Sequence, residues 1–320
     1  MKNILVFGGA GYIGSHTVWH LCENGYNVVV ADNLIYGHAE AIPTDVPLEH
    51  VDLIDANALG ELFAKYTFDA VIHFAAFAYV GESVEHPAKY YRNNVVGTLN
   101  LLEVMRIVGV KNIVFSSTCA TYGEPIYTPI DEEHPQNPIN PYGQSKLMIE
   151  KILSDYENAY GLRWVALRYF NAAGAGWNIR ESHMPETHLI PLVCCSITNG
   201  NPINIFGTDY DTPDGTCIRD YVHVMDLANA HRLALEKLED FSGVLNLGTG
   251  IGKSVKEIIV IAEKVTGKKC PVVFTVRRPG DSTRLFAANK KAHEILEWFP
   301  EYGIEKIITD AWMWENNRRF

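Results

Sequence analysis

A glycine cluster cut into the first apolar run constrains this chain most. Asn3-Ile4-Leu5-Val6-Phe7 reads as a buried strand and runs into Gly8-Gly9-Ala10-Gly11-Tyr12-Ile13-Gly14, after which Ile13 to Cys22 reads as a helix. The cluster satisfies both the G-x-G-x-x-G and the G-x-x-G-x-x-G spacing. Glycines between a strand and a helix let the backbone approach a pyrophosphate, and the helix start turns its free N–H groups toward that charge. Glycine turns are common, so the second strand matters more: Val28-Val29-Val30-Ala31 ends in Asp32. A carboxylate about 20 residues past the glycines accepts hydrogen bonds from an adenosine ribose and repels a 2′-phosphate, which favours NAD over NADP. The competing reading of Asp32-Asn33 is a solvated turn. Asp52, after Leu48 to Val51, is the adenine contact expected at the end of a third strand.

The same strand–helix rhythm continues through Val71 to Phe74, Ile113 to Phe115 and Val165 to Tyr169, and a long helix begins near Pro141. Continuously apolar strands separated by helices predict a doubly wound parallel sheet of the α/β class, covered on both faces. The rhythm breaks after about Asn171. Thr208 to Gly215 reads as a loop, Val244 to Leu247 as one more strand, and the last third as helices (Val255 to Val265, Asn289 to Trp298, Ile304 to Asn316) with one short strand. The expected division is a dinucleotide domain over 1–175, rejoined by 220–250, and a smaller substrate domain over 176–219 and 251–320. Gly248-Thr249-Gly250 is read as a turn, and Trp312 and Trp314 as packing residues.

Composition removes several functional classes. With 320 residues, 47% hydrophobic, the chain holds a full α/β domain and a second lobe. A formal net charge of -11 without a basic stripe argues against a nucleic-acid partner, although Arg277 and Arg278 suit one small anion. No apolar run reaches membrane-spanning length. Met1-Lys2 leads directly into the first strand, so no signal peptide is expected. The six cysteines form no C-x-x-C pair and read as reduced thiols in a cytoplasmic protein; the twelve scattered histidines predict no metal site.

Tyr142 and Lys146 form Y-x-x-x-K behind the helix-start signal Asn140-Pro141. Positions i and i+4 share a helix face, so phenol and ammonium are neighbours. A free tyrosine titrates near pH ~10, and lowering that by about three units takes roughly 4 kcal/mol of preferential phenolate stabilisation. A lysine ammonium and a cationic nicotinamide in one cleft are the expected sources. Any helix can carry such a pair. Phe115-Ser116-Ser117-Thr118, closing a strand of the same sheet, adds a hydroxyl at the ligand-facing strand end.

With these motifs in place, the chain resembles an extended short-chain dehydrogenase/reductase, and within that family the nucleotide-sugar 4-epimerases. The resemblance spans essentially the whole chain: Gly11 to His16, Asp32-Asn33-Leu34, His73 to Ala76, Val80 to Ser83, Tyr90-Tyr91 with Asn93-Asn94, Pro141 to Lys146, Arg168 to Asn171, and Asp214 to His223. It implies a Rossmann-type sheet with a smaller C-terminal substrate-binding domain. The implied activity is an isomerase that inverts C4 of a UDP-hexose with bound NAD, exchanging UDP-glucose and UDP-galactose through a 4-keto intermediate. Tyr142, Lys146 and Thr118 match the catalytic positions. Gly8, Gly11, Tyr12, Ile13, Gly14, Asp32, Asn33, Asp52, Leu53, Phe74, Ala75, Ala76, Asn94, Ser116, Tyr142, Lys146 and Tyr169 match cofactor positions. Thr118, Tyr142, Asn171, Leu189, Asn204, Phe206, Arg219, Tyr221, Arg278, Asp281 and Leu285 match the substrate side.

Departures from the family's pattern are Phe7 before the glycines, Ala78 where some members carry a cofactor-contacting lysine, Ala172, and Thr187-His188-Leu189 in place of an asparagine pair. Leu285 stands where the family sets hexose-pocket width, between the tyrosine that excludes an N-acetyl group and the smaller residues that admit one. Dehydratases of this fold place acidic residues after the hydroxyl, whereas Thr118 is followed by Cys119-Ala120-Thr121. A 4-keto reductase or a non-catalytic NAD-binding protein are the remaining alternatives, and the latter commonly lose the tyrosine or lysine. Helices around Ala88 to Val108 and Tyr142 to Tyr160, with Leu99, Leu102, Met105, Leu147 and Ile152, pair across a two-fold axis in the family, which implies a homodimer; the same stripe is equally an ordinary core.

Overall fold

The computed structural model describes residues 2–177, 179–180, 186–277 and 281–317. Six strands follow the predicted rhythm: β1 (Asn3–Phe7), β2 (Asn27–Asp32), β3 (Leu48–His50), β4 (Ala70–His73), β5 (Asn112–Thr118) and β6 (Arg163–Tyr169). Gly243–Leu247 adds the seventh, and the order across the sheet is Gly243–Leu247, β6, β5, β4, β1, β2, β3. Every pairing is parallel. From β1 the chain steps outward to β2 and β3, then returns to β4 on the other side of β1. Such a reversal opens a crevice above the carboxyl ends of β1 and β4.

The strands are continuously apolar because both faces are covered. On one face Ile4, Val6, Val30, Ile72, Val114 and Leu167 pack against Val18 and Leu21 of helix α1 (Tyr12–Glu23) and against Leu227, Ala230 and Ala234 of helix Val224–Lys237. On the other face Leu5, Phe7, Val71, Ile113, Phe115 and Ala166 meet Leu59 and Leu62 of helix α2 (Ala56–Lys65), Leu101, Leu102 and Met105 of helix Gly97–Val108, and Ile149 and Leu153 of helix Pro141–Tyr160. Leu102, Met105 and Leu147 are therefore core residues. The apolar side chains these two helices leave exposed are Val108, Ile107, Met148 and Tyr160.

A separate core, with Ile190, Val193, Ile205, Ile258, Ile307 and Ile308, unites helices Leu189–Asn199, Val255–Thr266 and Ile304–Asn316. Trp314 is buried here and Trp312 packs on its margin, as expected. Short strands go beyond the single one expected in the last third: Lys253–Ser254, Val272–Thr275 and Arg284–Leu285. Val272–Thr275 runs parallel to Ile203–Phe206. Arg219 to Leu235 resolves into the end of strand Ile218–Arg219, strand Tyr221–His223 and most of helix Val224–Lys237. All six cysteines are free. Among the described residues no helix is long and apolar enough to cross a membrane.

Candidate active site

The crevice floor is built by the glycine turn. Gly8 has φ +79, and a Cβ on it would lie 2.4 Å from the Ala75 backbone nitrogen at the exit of β4. A Cβ on Gly14 would sit 2.3 Å from the Gly8 carbonyl oxygen. Bare backbone is thus required both where the turn meets β4 and where α1 meets the turn. Gly11 caps α1 with no side-chain hydrogen bond, which leaves the N–H groups of the first turn directed at the crevice. Asp32, 7% exposed, accepts from the Ala10 N–H at 3.0 Å and the Leu34 N–H at 2.8 Å. Burial pushes its carboxyl above the usual range and the two backbone donors pull it back. Its carboxylate therefore ties the glycine turn to the end of β2, a structural duty its spacing did not reveal. Asn33 Nδ2 donates to Asp52 Oδ2 at 3.0 Å, and Asp52 lines a shallow hollow with Ile54, Asp55, Ala56 and Asn57. Uncapped helix start, close-packed glycines and a carboxylate at the second strand end together fit a dinucleotide.

Other expected cofactor residues are committed to the scaffold. Leu53 is buried, and Ile13 packs on the core under α1. The Tyr12 hydroxyl donates to the Gly174 carbonyl at 2.8 Å. Phe74, Ala75 and Ala76 follow β4, where the Phe74 and Ala75 N–H groups both donate to the Phe7 carbonyl. Asn94 is fully buried in the π-helical turn Tyr91–Val96; its amide donates to the Phe77 carbonyl at 3.0 Å and to Ser145 Oγ at 3.1 Å and accepts from the Phe77 N–H at 2.9 Å.

The reactive groups gather at the ends of β5 and β6. Asn140 caps helix Pro141–Tyr160 by accepting from the Gly143 N–H at 2.8 Å. Gly143 lies so close to the segment after β5 that a Cβ there would meet the Ala120 carbonyl oxygen at 2.4 Å. This approach brings Tyr142 near Thr118, whose hydroxyl favours the phenolate. One turn on, Lys146 is 2% exposed; its Nζ donates to the Ser116 carbonyl at 2.7 Å and lies 4.8 Å from the Phe115 ring centre. The Ser116 and Tyr169 hydroxyls are hydrogen-bonded to each other, and a charge on Tyr142 opposes ionisation of Tyr169. Burial pulls the Lys146 ammonium down to about 7. Burial also pushes the Tyr142 phenol up to about 12, with the Thr118 hydroxyl opposing it. The expected sources of acidification are the Lys146 ammonium together with a cationic nicotinamide; in the protein by itself desolvation dominates both Tyr142 and Lys146.

On the other side, strand Asn171–Ala173 pairs in parallel with Tyr221–His223, and Asn171 Nδ2 donates to the Asp220 carbonyl at 2.9 Å. Arg219 donates from Nη1 to the Ser282 carbonyl at 2.7 Å, and its Nη2 lies 3.7 Å from Asp281 Oδ1. Two residues expected separately as ligands thus form one partly exposed pair. Leu285 lies in register with Arg219 and packs against the cluster of Cys119, Tyr122, Ile130, Phe170 and Ala287, beside Thr118. Asn204 and Phe206 share the exposed face of strand Ile203–Phe206, Leu189 opens helix Leu189–Asn199, and Tyr221 is buried. Arg278 lies outside the described residues.

The comparisons with known proteins agree with this geometry. Residues 4–248 match the model of the "NAD dependent epimerase/dehydratase family". The chain belongs to the NAD dependent epimerase/dehydratase family. Within it, the chain is 53% identical to a UDP-glucose 4-epimerase of Halalkalibacterium halodurans over 97% of this chain and 95% of that one. It resembles the crystal structure of UDP-glucose 4-epimerase from Brucella ovis in complex with NAD, with a TM-score of 0.94, 50% identity and 98% of each chain covered. A UDP-glucose 4-epimerase from Bifidobacterium longum in complex with NAD+ and UDP superposes with a TM-score of 0.93 at 38% identity, covering 99% of both chains.

Beside this epimerase/dehydratase-family site lie two buried carboxylates that the sequence did not mark as site residues. Glu150, one turn beyond Lys146, accepts from Arg168 Nε at 2.9 Å and Nη2 at 2.6 Å and from the Ser117 hydroxyl, with both charged side chains 4% exposed. A charged residue inside the apolar strand β6 was the available signal. Asp220 is fully buried and accepts from the Thr249 N–H at 2.9 Å, the Gly250 N–H at 3.1 Å and the Ala287 N–H at 3.2 Å. Gly248-Thr249-Gly250 is therefore a turn, as read, and its amides already hold an internal anion.

Proposed function

We infer that this chain is an NAD-dependent isomerase that inverts C4 of a UDP-hexose, interconverting UDP-glucose and UDP-galactose through a 4-keto intermediate. The observation that carries the reading is the meeting of Thr118, Tyr142 and Lys146 beside the dinucleotide crevice, in a chain about half identical to UDP-glucose 4-epimerases over nearly its full length.

The chain's own residues have these tasks. Gly8, Gly11 and Gly14 with the start of α1 hold the pyrophosphate, Asp32 the adenosine ribose, and Asn33 and Asp52 border the adenine. NAD, when bound, supplies the acceptor and later the donor of the C4 hydride, together with a cationic ring near the phenol. Tyr142 takes the proton of the 4-hydroxyl, with Thr118 bridging phenol and sugar oxygen, and returns it after the sugar has turned over. Lys146 orients the nicotinamide ribose. Tyr142 and Lys146 are each penalised for ionising in a buried site. Arg219 with Asp281, Asn171, Asn204, Phe206, Leu189, Tyr221 and Arg278 hold the UDP-sugar, and Leu285 walls the hexose. Elimination of water lacks its acid and base, since Cys119-Ala120-Thr121 carries no carboxylate.

Residues 1–175 with 220–250 form the dinucleotide half in this reading, and 176–219 with 251–320 the sugar half. The exposed Ile107, Val108, Met148 and Tyr160 on helices Gly97–Val108 and Pro141–Tyr160 support a homodimer joined through those helices. Purified protein given UDP-galactose, with no added reductant, should form UDP-glucose. Intact UDP-galactose binding without conversion would overturn the reading.

A further inference from the structure

The strands β2 and β4 flank β1 on opposite sides. The loops that follow them nevertheless meet, and they meet over the end of β1, where the glycine turn and the start of α1 lie. The loop after β2 crosses that turn closely: the His38 N–H donates to the Ala10 carbonyl at 3.0 Å, and a Cβ on Gly37 would lie 2.8 Å from the Ala10 Cβ. The loop after β4 is fixed from the other side by the clasp of Asn94 on the Phe77 N–H and carbonyl. Between them the Tyr36 ring stands edge-on to Phe77 at 5.7 Å and to Tyr79 at 5.3 Å. Lys89 closes the group: its Nζ lies 4.1 Å from the Phe77 ring centre and 3.5 Å from the Tyr36 hydroxyl. Glu82 accepts from the same ammonium at 2.6 Å, and the Tyr90 hydroxyl lies 2.8 Å from the other Glu82 oxygen.

We propose that Tyr36, Phe77 and Lys89 form a latch across the mouth of the dinucleotide crevice, and that it slows escape of NAD between turnovers. The proposal rests on the reading of that crevice as the NAD site. The three side chains contribute nothing to proton transfer; they are positioning residues that join the two loops bounding the cofactor. The reaction itself gives the latch its use. Net redox is zero, so a cofactor that stayed bound would serve every cycle, whereas one that escaped reduced would leave the 4-keto sugar stranded. An aromatic edge contact and an ammonium on a ring face suit the task, since both hold without a covalent link and reopen when the loops part.

The test measures release. Holoprotein is moved into NAD-free buffer, and the dinucleotide set free is followed with alcohol dehydrogenase and ethanol. The wild type, Tyr36→Ala, Lys89→Met and Tyr36→Phe are compared, with thermal unfolding as the check on folding. Tyr36→Ala and Lys89→Met should release NAD roughly tenfold faster, the scale set by losing a ring pair or a cation on a ring. Turnover with saturating added NAD should match the wild type, and Tyr36→Phe, which keeps the ring, should release at close to the wild-type rate. Should Tyr36→Ala not fold, the partly exposed Lys89 carries the test. Unchanged release in the folded variants, or turnover that saturating NAD does not restore, would overturn the latch. A wild-type protein that neither carries nor takes up NAD would overturn the underlying site reading instead.

Discussion

Replacing Lys146 by methionine should raise stability while abolishing activity. Lys146 is 2% exposed, donates one hydrogen bond to the Ser116 carbonyl and touches no carboxylate; the nearest, Glu150, is engaged by Arg168. Burial lowers its pKa from 10.5 to about 7. At about 1.36 kcal/mol per unit that shift corresponds to roughly 5 kcal/mol against the charged form. Methionine has a similar stem and no charge, but leaves the Ser116 carbonyl unpaired at a cost of about 1–3 kcal/mol. The variant should thus be more stable by about 2 kcal/mol or more near neutral pH. The sign with pH follows from linkage. Between the native pKa and the unfolded one the unfolded chain holds a proton that the native state has released, so wild-type stability rises with pH across that interval. The advantage of Lys146→Met should be full below about pH 7, shrink as the pH rises, and reverse before about pH 10.5, where only the cost of the unpaired Ser116 carbonyl remains. Urea unfolding of NAD-free protein at both ends of that window, beside turnover of UDP-galactose, measures it. A variant less stable than wild type near about pH 6, or a margin that does not change with pH, would refute the reasoning.

Three further outcomes follow from single contacts. Gly14→Ala places a Cβ 2.3 Å from the Gly8 carbonyl oxygen, so the purified protein should lose most of its bound NAD, read by acid release and enzymatic assay. Asp220→Asn turns an amide N–H₂ toward backbone donors at 2.9–3.2 Å. It should destabilise by about 3 kcal/mol and, because Arg219 and Tyr221 flank Asp220, raise the KM for UDP-galactose in steady-state assays. Glu150→Gln leaves the Arg168 guanidinium buried without a counter-charge and should lower the urea-unfolding free energy by about 3–5 kcal/mol.

What the sequence made legible, and what it hid, divides by range. Strands such as Ile4 to Phe7 and Val28 to Ala31 were readable because burial on both faces writes itself as an unbroken apolar run. Tyr142 and Lys146 were readable because helical spacing alone puts them on one face. Ile218–Arg219 and Arg284–Leu285 were not, since two residues have no period and their register comes from pairing across some sixty positions of chain. The same holds for Arg219 and Asp281, each expected as a ligand and found facing the other. Asn94 shows a further duty that its match did not reveal: its amide hydrogen-bonds Phe77 and Ser145. No spacing rule distinguishes an amide that touches a ligand from one that fixes the loop beside it.

The most direct test removes one oxygen. Tyr142→Phe keeps the ring, its packing and the Thr118 hydroxyl but deletes the group that takes the sugar proton. With bound NAD and UDP-galactose affinity matching the wild type, the conversion of UDP-galactose to UDP-glucose should fall by at least about 10²-fold, the range of a lost general base. Turnover near the wild-type rate in that variant would contradict the account.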